Sequence, residues 1–146
     1  MRFIKKDFIS VWLGSIFLYV FLTFVSLTFE IYRIFPAYGV LGYTSVIMLL
    51  LYAISLAELR RHYIVAGLTL VFAGVLASID IILSRTIIVE ELRQIEAGWA
   101  QQIFEDDDTV NNLVNVLIIL LNIFTSSLSA DVLFHGLNRN NFEKDK

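Results

Sequence analysis

An all-α integral membrane fold is predicted, an antiparallel four-transmembrane-helix bundle with a long amphipathic extramembrane helix between spans three and four. Three observations predict it. Four apolar stretches, 8–29, 37–57, 63–83 and 110–133, fill most of the 146 residues. Each meets the ~20 apolar residues that a helix needs to cross a ~30 Å hydrocarbon core. Hydrophobic residues reach 58% of the chain, where soluble domains have about 45–50%. Between the third and fourth stretches, residues 84–108 repeat apolar side chains at helical spacing. Four spans and short connections use the whole length, so one membrane domain, 1–146, is expected.

The first stretch follows a basic start (Arg2, Lys5, Lys6) and is rich in phenylalanine. Its 22 residues exceed the about 7–15 of a signal-peptide core, and no small-residue cleavage site closes it. It reads as a retained, peripheral first span. A short connection, 30–36, carries the single proline among Tyr32, Phe35 and Tyr38, aromatics suited to a headgroup layer. The turn Glu58-Leu59-Arg60-Arg61-His62 makes the second and third spans a hairpin. Glu58 and Arg61, three apart, are expected to pair on a helix surface. The third span has Gly67 and Gly74, with Ala73/Ala77 and Gly74/Ser78 four apart. Small residues at such spacing let membrane helices approach closely, which places this span at the bundle centre.

Charge sets the expected topology. With the N-terminus inside, inner segments hold Arg2, Lys5, Lys6, Arg60, Arg61, Arg139, Lys144 and Lys146, and outer segments hold Arg33, Arg85 and Arg93. Basic residues near span ends favour the cytoplasmic side, so both termini are expected there.

In 84–108, Ile88, Leu92, Ile95, Trp99 and Ile103 form one helix face. The segment carries two arginines (Arg85, Arg93) against seven acids, whereas helices lying on anionic lipid usually carry lysine and arginine. The face is therefore expected to contact protein, either a second copy or the connection 30–36. If the third span simply continued, the segment would project ~30 Å from the membrane. The acidic cluster Glu105, Asp106, Asp107 and Asp108 lacks the alternating ligands, glycine and distal glutamate of a calcium loop. It reads as a solvated turn in which Asp108 or Thr109 caps the fourth span.

Within the spans, Asn111, Asn115, Asn122, Ser126 and Ser129 fall in a sector of about 60° on one helix. Hydrogen bonding between helices is the favoured reading, and a pore lining is the alternative. Asp80 lies about four residues inside the third span, and a carboxylate at such a position is a candidate site whose partner must be named. Asn115, Ser84 and Arg33 are the reachable partners expected for a site, while the favoured reading is a plain interfacial acid, solvated or paired with an arginine. Asp131 and His135, four apart, read as an interfacial pair near a helix C-terminus.

No cysteine is present, which excludes disulfides and thiolate chemistry. Nucleotide-binding, metalloprotease and serine-hydrolase motifs are missing, as is a basic groove for nucleic acid. Neither catalysis nor a metal or cofactor is expected.

The layout of four spans, inward termini and an acidic outer segment at 90–108 resembles two kinds of small bacterial inner-membrane protein. These are immunity proteins against pore-forming bacteriocins and the membrane subunits of antiphage systems such as the Kiwa transmembrane component. The resemblance covers architecture along the whole chain and assigns no functional residue. It implies a role in defence or immunity at the bacterial cytoplasmic membrane. The resulting expectation is a non-enzymatic, homo-oligomeric sensor or scaffold. It couples an outer event to a cytoplasmic protein through Arg60, Arg61, Arg139, Lys144, Lys146 and the tail 138–146. A cation-selective channel subunit and a bacteriocin immunity protein are the alternatives.

Overall fold

The structure is a computed structural model that describes residues 7–94 and 106–138. Their elements are α1 (Phe8–Phe29), a 3-10 turn (Ile31–Arg33), α2 (Tyr38–Ser55), α3 (Arg60–Leu83), α4 (Arg85–Arg93) and α5 (Asp107–Leu137). Among the described residues the fold is all-helical, and α1, α2, α3 and α5 are long and apolar enough to cross a membrane.

The helix limits depart from the apolar runs, and a side-chain cap marks one of them, the start of α5. Helix α2 is shorter than its apolar stretch, whereas α3 begins at Arg60 and α5 extends from Asp107 to Leu137. Asp106 is the N-cap of α5: its carboxylate accepts from the Thr109 N–H at 3.1 Å and the Thr109 hydroxyl at 2.6 Å. This corrects the expected cap at Asp108 or Thr109, because Asp106 already has extended backbone (φ −92°, ψ 119°) and reaches the third residue onward. Glu58 precedes α3, so it shares no helix surface with Arg61. A one-residue interruption at Ser84 separates α3 from α4.

Helices α3 and α5 pack antiparallel along their length. Bare glycines bring them together: a β-carbon on Gly67 would meet Leu133, one on Gly74 would meet Thr125, and one on Gly136 would meet Tyr63 and Ile64. Helix α1 runs beside α3 in the same direction, joined by the stacked Phe8 and His62 rings at 4.2 Å and by Trp12 Nε1 donating to Thr69 Oγ1 at 3.0 Å. Half of the apolar window of α3 is buried against 11% for α1, so α3 is the central helix and α1 the peripheral one.

Two apolar clusters divide the interior. Phe8, Leu50, Ala66, Leu70 and Val132 pack near the α2–α3 turn. Tyr32, Tyr43, Ile81, Ile88 and Val114 pack near the 3-10 turn. Outside them lies a broad apolar surface that includes Phe17, Phe24, Phe72 and Ile123, each at least 60% exposed.

Candidate functional site

Asp80 is 3% exposed and sits where α1, the 3-10 turn, α2 and α3 meet. Its Oδ1 accepts from the Ser26 hydroxyl at 2.7 Å. Its Oδ2 accepts from the Tyr32 hydroxyl at 2.8 Å and the Tyr43 hydroxyl at 2.7 Å. An ionised carboxylate is an acceptor with about four lone-pair positions, and three O–H donors suit that form. Among the described residues no basic side chain pairs with it.

Local backbone explains how these hydroxyls converge. Helix α1 ends at Glu30, a non-glycine residue in the left-handed region (φ 46°). The chain then folds at once into the 3-10 turn, closed by Arg33 N–H to Glu30 O at 2.9 Å and Phe35 N–H to Ile31 O at 2.9 Å. That turn directs Tyr32 inward, where it is 1% exposed and meets the Tyr38 ring edge-on at 5.8 Å. Gly39 is required here, because its β-carbon would collide with the Tyr32 hydroxyl. Tyr43, one turn beyond Gly39, completes the set from α2. Burial first, and then the Asp80 carboxylate, holds the Tyr32 phenol protonated far above its ordinary range.

A second layer lies on α1. The Tyr19 ring is 5.6 Å from that of Tyr43, and Tyr19 OH and Thr23 Oγ1 are buried with no hydrogen bond of good geometry among the described residues. Ser15, Tyr19 and Ser26, at spacings of four and seven, thus form an inward hydroxyl line on the helix richest in phenylalanine. Sequence reasoning missed Ser26, Tyr32, Gly39 and Tyr43. The spacing of the α1 hydroxyls was the available signal.

The expected partners of Asp80 are elsewhere. Arg33 pairs with Glu30 at 2.7 Å, both about 60% exposed. Ser84 contacts Asp80 through backbone alone, its N–H donating to the Asp80 carbonyl at 3.0 Å. Asn115 is half-buried and makes no side-chain hydrogen bond among the described residues. A solvated interfacial acid does not fit either, since the carboxylate is enclosed. The reason is chemical: uncharged hydroxyls, not a cation, satisfy it.

The polar line on α5 divides. Ser129 is buried and returns its hydrogen bond to the Thr125 carbonyl at 2.6 Å. Asn111 Oδ1 accepts from Arg85 Nε at 3.0 Å, tying α5 to α4. Asn115 and Asn122 are half-buried and Ser126 is exposed. On α4, Ile88 is buried in the cluster with Tyr32 and Val114, and Leu92 packs against it. This part of the amphipathic face therefore rests on the connection and on α5 instead of projecting freely.

Ile95, Trp99, Ile103, Glu105, Arg139, Lys144 and Lys146 lie outside the described residues, as does the side chain of Asp107. Asp106 is the cap and Asp108 is exposed. At the α2–α3 turn, Arg60 Nε donates to the Gly136 carbonyl at 2.9 Å, which braces α3 against the end of α5. Arg61 is exposed beside a pocket of about 580 Å³ lined also by Asp7, Glu58 and His62. The His135 ring lies 4.6 Å from that of Tyr63.

Compared with protein-family models, curated proteins and solved structures, the chain matches none.

The chemistry of the site is that of a tether. Three elements are each fastened to α3 through one carboxylate, and each bond carries about 1.5–3 kcal/mol as a hydrogen bond to a charged group.

Proposed function

We propose that this chain is a non-enzymatic, homo-oligomeric sensor or scaffold subunit of the bacterial cytoplasmic membrane. It passes an event on its outer face to a cytoplasmic protein partner. The bilayer reading is supported by four apolar helices of spanning length and by the exposed phenylalanines, which water would not tolerate as one surface. The charge bias of the connections supports cytoplasmic termini, and the architectural resemblance supports a role in antiphage defence.

The observation that carries the reading is Asp80. An outer ligand that moves the 3-10 turn must draw Tyr32 away from a buried carboxylate, a step with two discrete arrangements rather than a continuous one. Helix α3 bears that carboxylate and is locked to α5 at glycine contacts down to Arg60 and Gly136. A shift of the pair would reach the opposite face, where Arg61 and the tail 138–146 meet the partner.

The test is capture of a soluble protein by the membrane-extracted chain, with Tyr32→Phe and a deletion of 138–146 compared in parallel. Deletion should abolish capture, and Tyr32→Phe should uncouple it from the stimulus while leaving the chain in the membrane. Conductance in planar bilayers, reduced by Asn122→Leu, would replace this reading with a cation channel. Protection of cells from a single pore-forming toxin would replace it with bacteriocin immunity.

A further inference from the structure

The packed face of α5 is defined by Val110, Val114, Ile118, Thr125, Ser129 and Val132, all buried. At 100° per residue, Asn115, Asn122 and Ser126 fall on the flank of that face rather than within it. None of the three has a side-chain hydrogen bond among the described residues. Their depth makes this consequential. Helix α5 has 31 residues from Asp107 to Leu137, so Asn122 stands at its middle, ~22 Å from either end. In a bilayer that depth is inside the hydrocarbon core, where water cannot reach and lipid tails offer neither donor nor acceptor. An unpaired amide there costs several kcal/mol.

We infer that a second copy of this chain covers the flank, its α5 packed parallel so that the two Asn122 amides bond to each other. The inference rests on the membrane reading above. The occupant follows from the chemistry. A carboxamide carries both a donor and an acceptor, so it complements its own copy about a twofold axis. Two copies inserted in the same orientation bring Asn122 to one depth without further design, and Asn115 lies on the same flank two turns away. Ser126 and Ala130 follow at intervals of four, small residues that let the two helix axes approach.

The chain has no cysteine, so single-cysteine variants report the contact directly. In native membranes under mild oxidation, Ser126→Cys should give a disulfide-linked dimer. Phe17→Cys, on the exposed face of α1, should not. Adding Asn122→Leu to Ser126→Cys should lower the dimer yield about 3- to 17-fold, the range for a membrane hydrogen bond of about 0.6–1.7 kcal/mol. Asn122→Gln should keep most of it. A Ser126→Cys chain that stays in the membrane through alkaline extraction yet never cross-links overturns the dimer alone. So does a cross-link to a product of another size. Release into the soluble fraction overturns the dimer together with the membrane reading.

Discussion

The Tyr32 hydroxyl occupies the space that a β-carbon on Gly39 would fill. The closeness of the two residues lets a side chain from the connecting turn enter the helix assembly and reach Asp80.

Gly39→Ala should therefore act through Tyr32. The added carbon pushes the phenol off the carboxylate and removes one charge-assisted bond, destabilising the fold by about 1.5–3 kcal/mol. Unfolding in detergent micelles measures this. Combined with Tyr32→Phe, which removes the same bond, the two losses should fall well short of additive. Full additivity would show that Gly39 acts by another route.

Asp80 offers a graded series. Asp80→Leu strands three buried hydroxyls and should cost about 3–5 kcal/mol. Asp80→Asn keeps one acceptor oxygen and offers an NH₂ to phenols that can turn to accept, so a loss of about 1–2 kcal/mol is expected. Equal losses in thermal unfolding would contradict a role based on hydrogen-bond acceptance.

Asp106 gives a pH dependence of defined sign. The Thr109 hydroxyl, then the Thr109 N–H, hold its carboxyl below the ordinary aspartate value of 3.8. A carboxyl depressed in the folded state lends stability that is complete above 3.8 and is lost as pH falls through the lower folded value. Carbon-13 titration of the side chain should place its midpoint below 3.8. Asp106→Asn should remove this contribution to the acid-side slope of stability.

The glycines of α3 and α1 should respond oppositely. A β-carbon at Gly74 meets Thr125, whereas one at Gly14 meets nothing within 4 Å. Gly74→Val should destabilise by about 1–3 kcal/mol through overpacking. Gly14→Ala should be neutral or stabilise by about 0.5–1 kcal/mol through helix propensity. Melting curves of the two variants, taken side by side, check the contrast.

The four long helices were legible because spanning length and apolarity are properties of contiguous residues. Their limits were less so. Arg60 and Leu137 extend helices past the apolar runs because polar residues also take helical backbone, and at the start of α5 the Asp106 cap sets the limit rather than the fall in hydropathy. Ile88 and Leu92 were legible from their spacing, but the interruption at Ser84 has neither glycine nor proline to announce it. Asp80 stood out as a buried acid. Its partners did not, because Ser26, Tyr32 and Tyr43 lie 37–54 positions away and carry no charge. The sector of polar residues on α5 was also plain, yet its direction depends on where Gly67 and Gly74 dock that helix.

Neighbouring helices differ in reach. At ~1.5 Å per residue, the 31 residues of α5 extend about 46 Å, while the 18 residues of α2 extend about 27 Å. No single bilayer thickness suits both against a hydrocarbon core of about 30 Å. Seated across a bilayer as proposed above, the protein would require the lipid to thin around α2 and α5 to tilt or emerge. On that reading the resting shape of the protein would be tied to the lipid around it, and bilayers of short-chain and long-chain lipids should favour different tilts of α5.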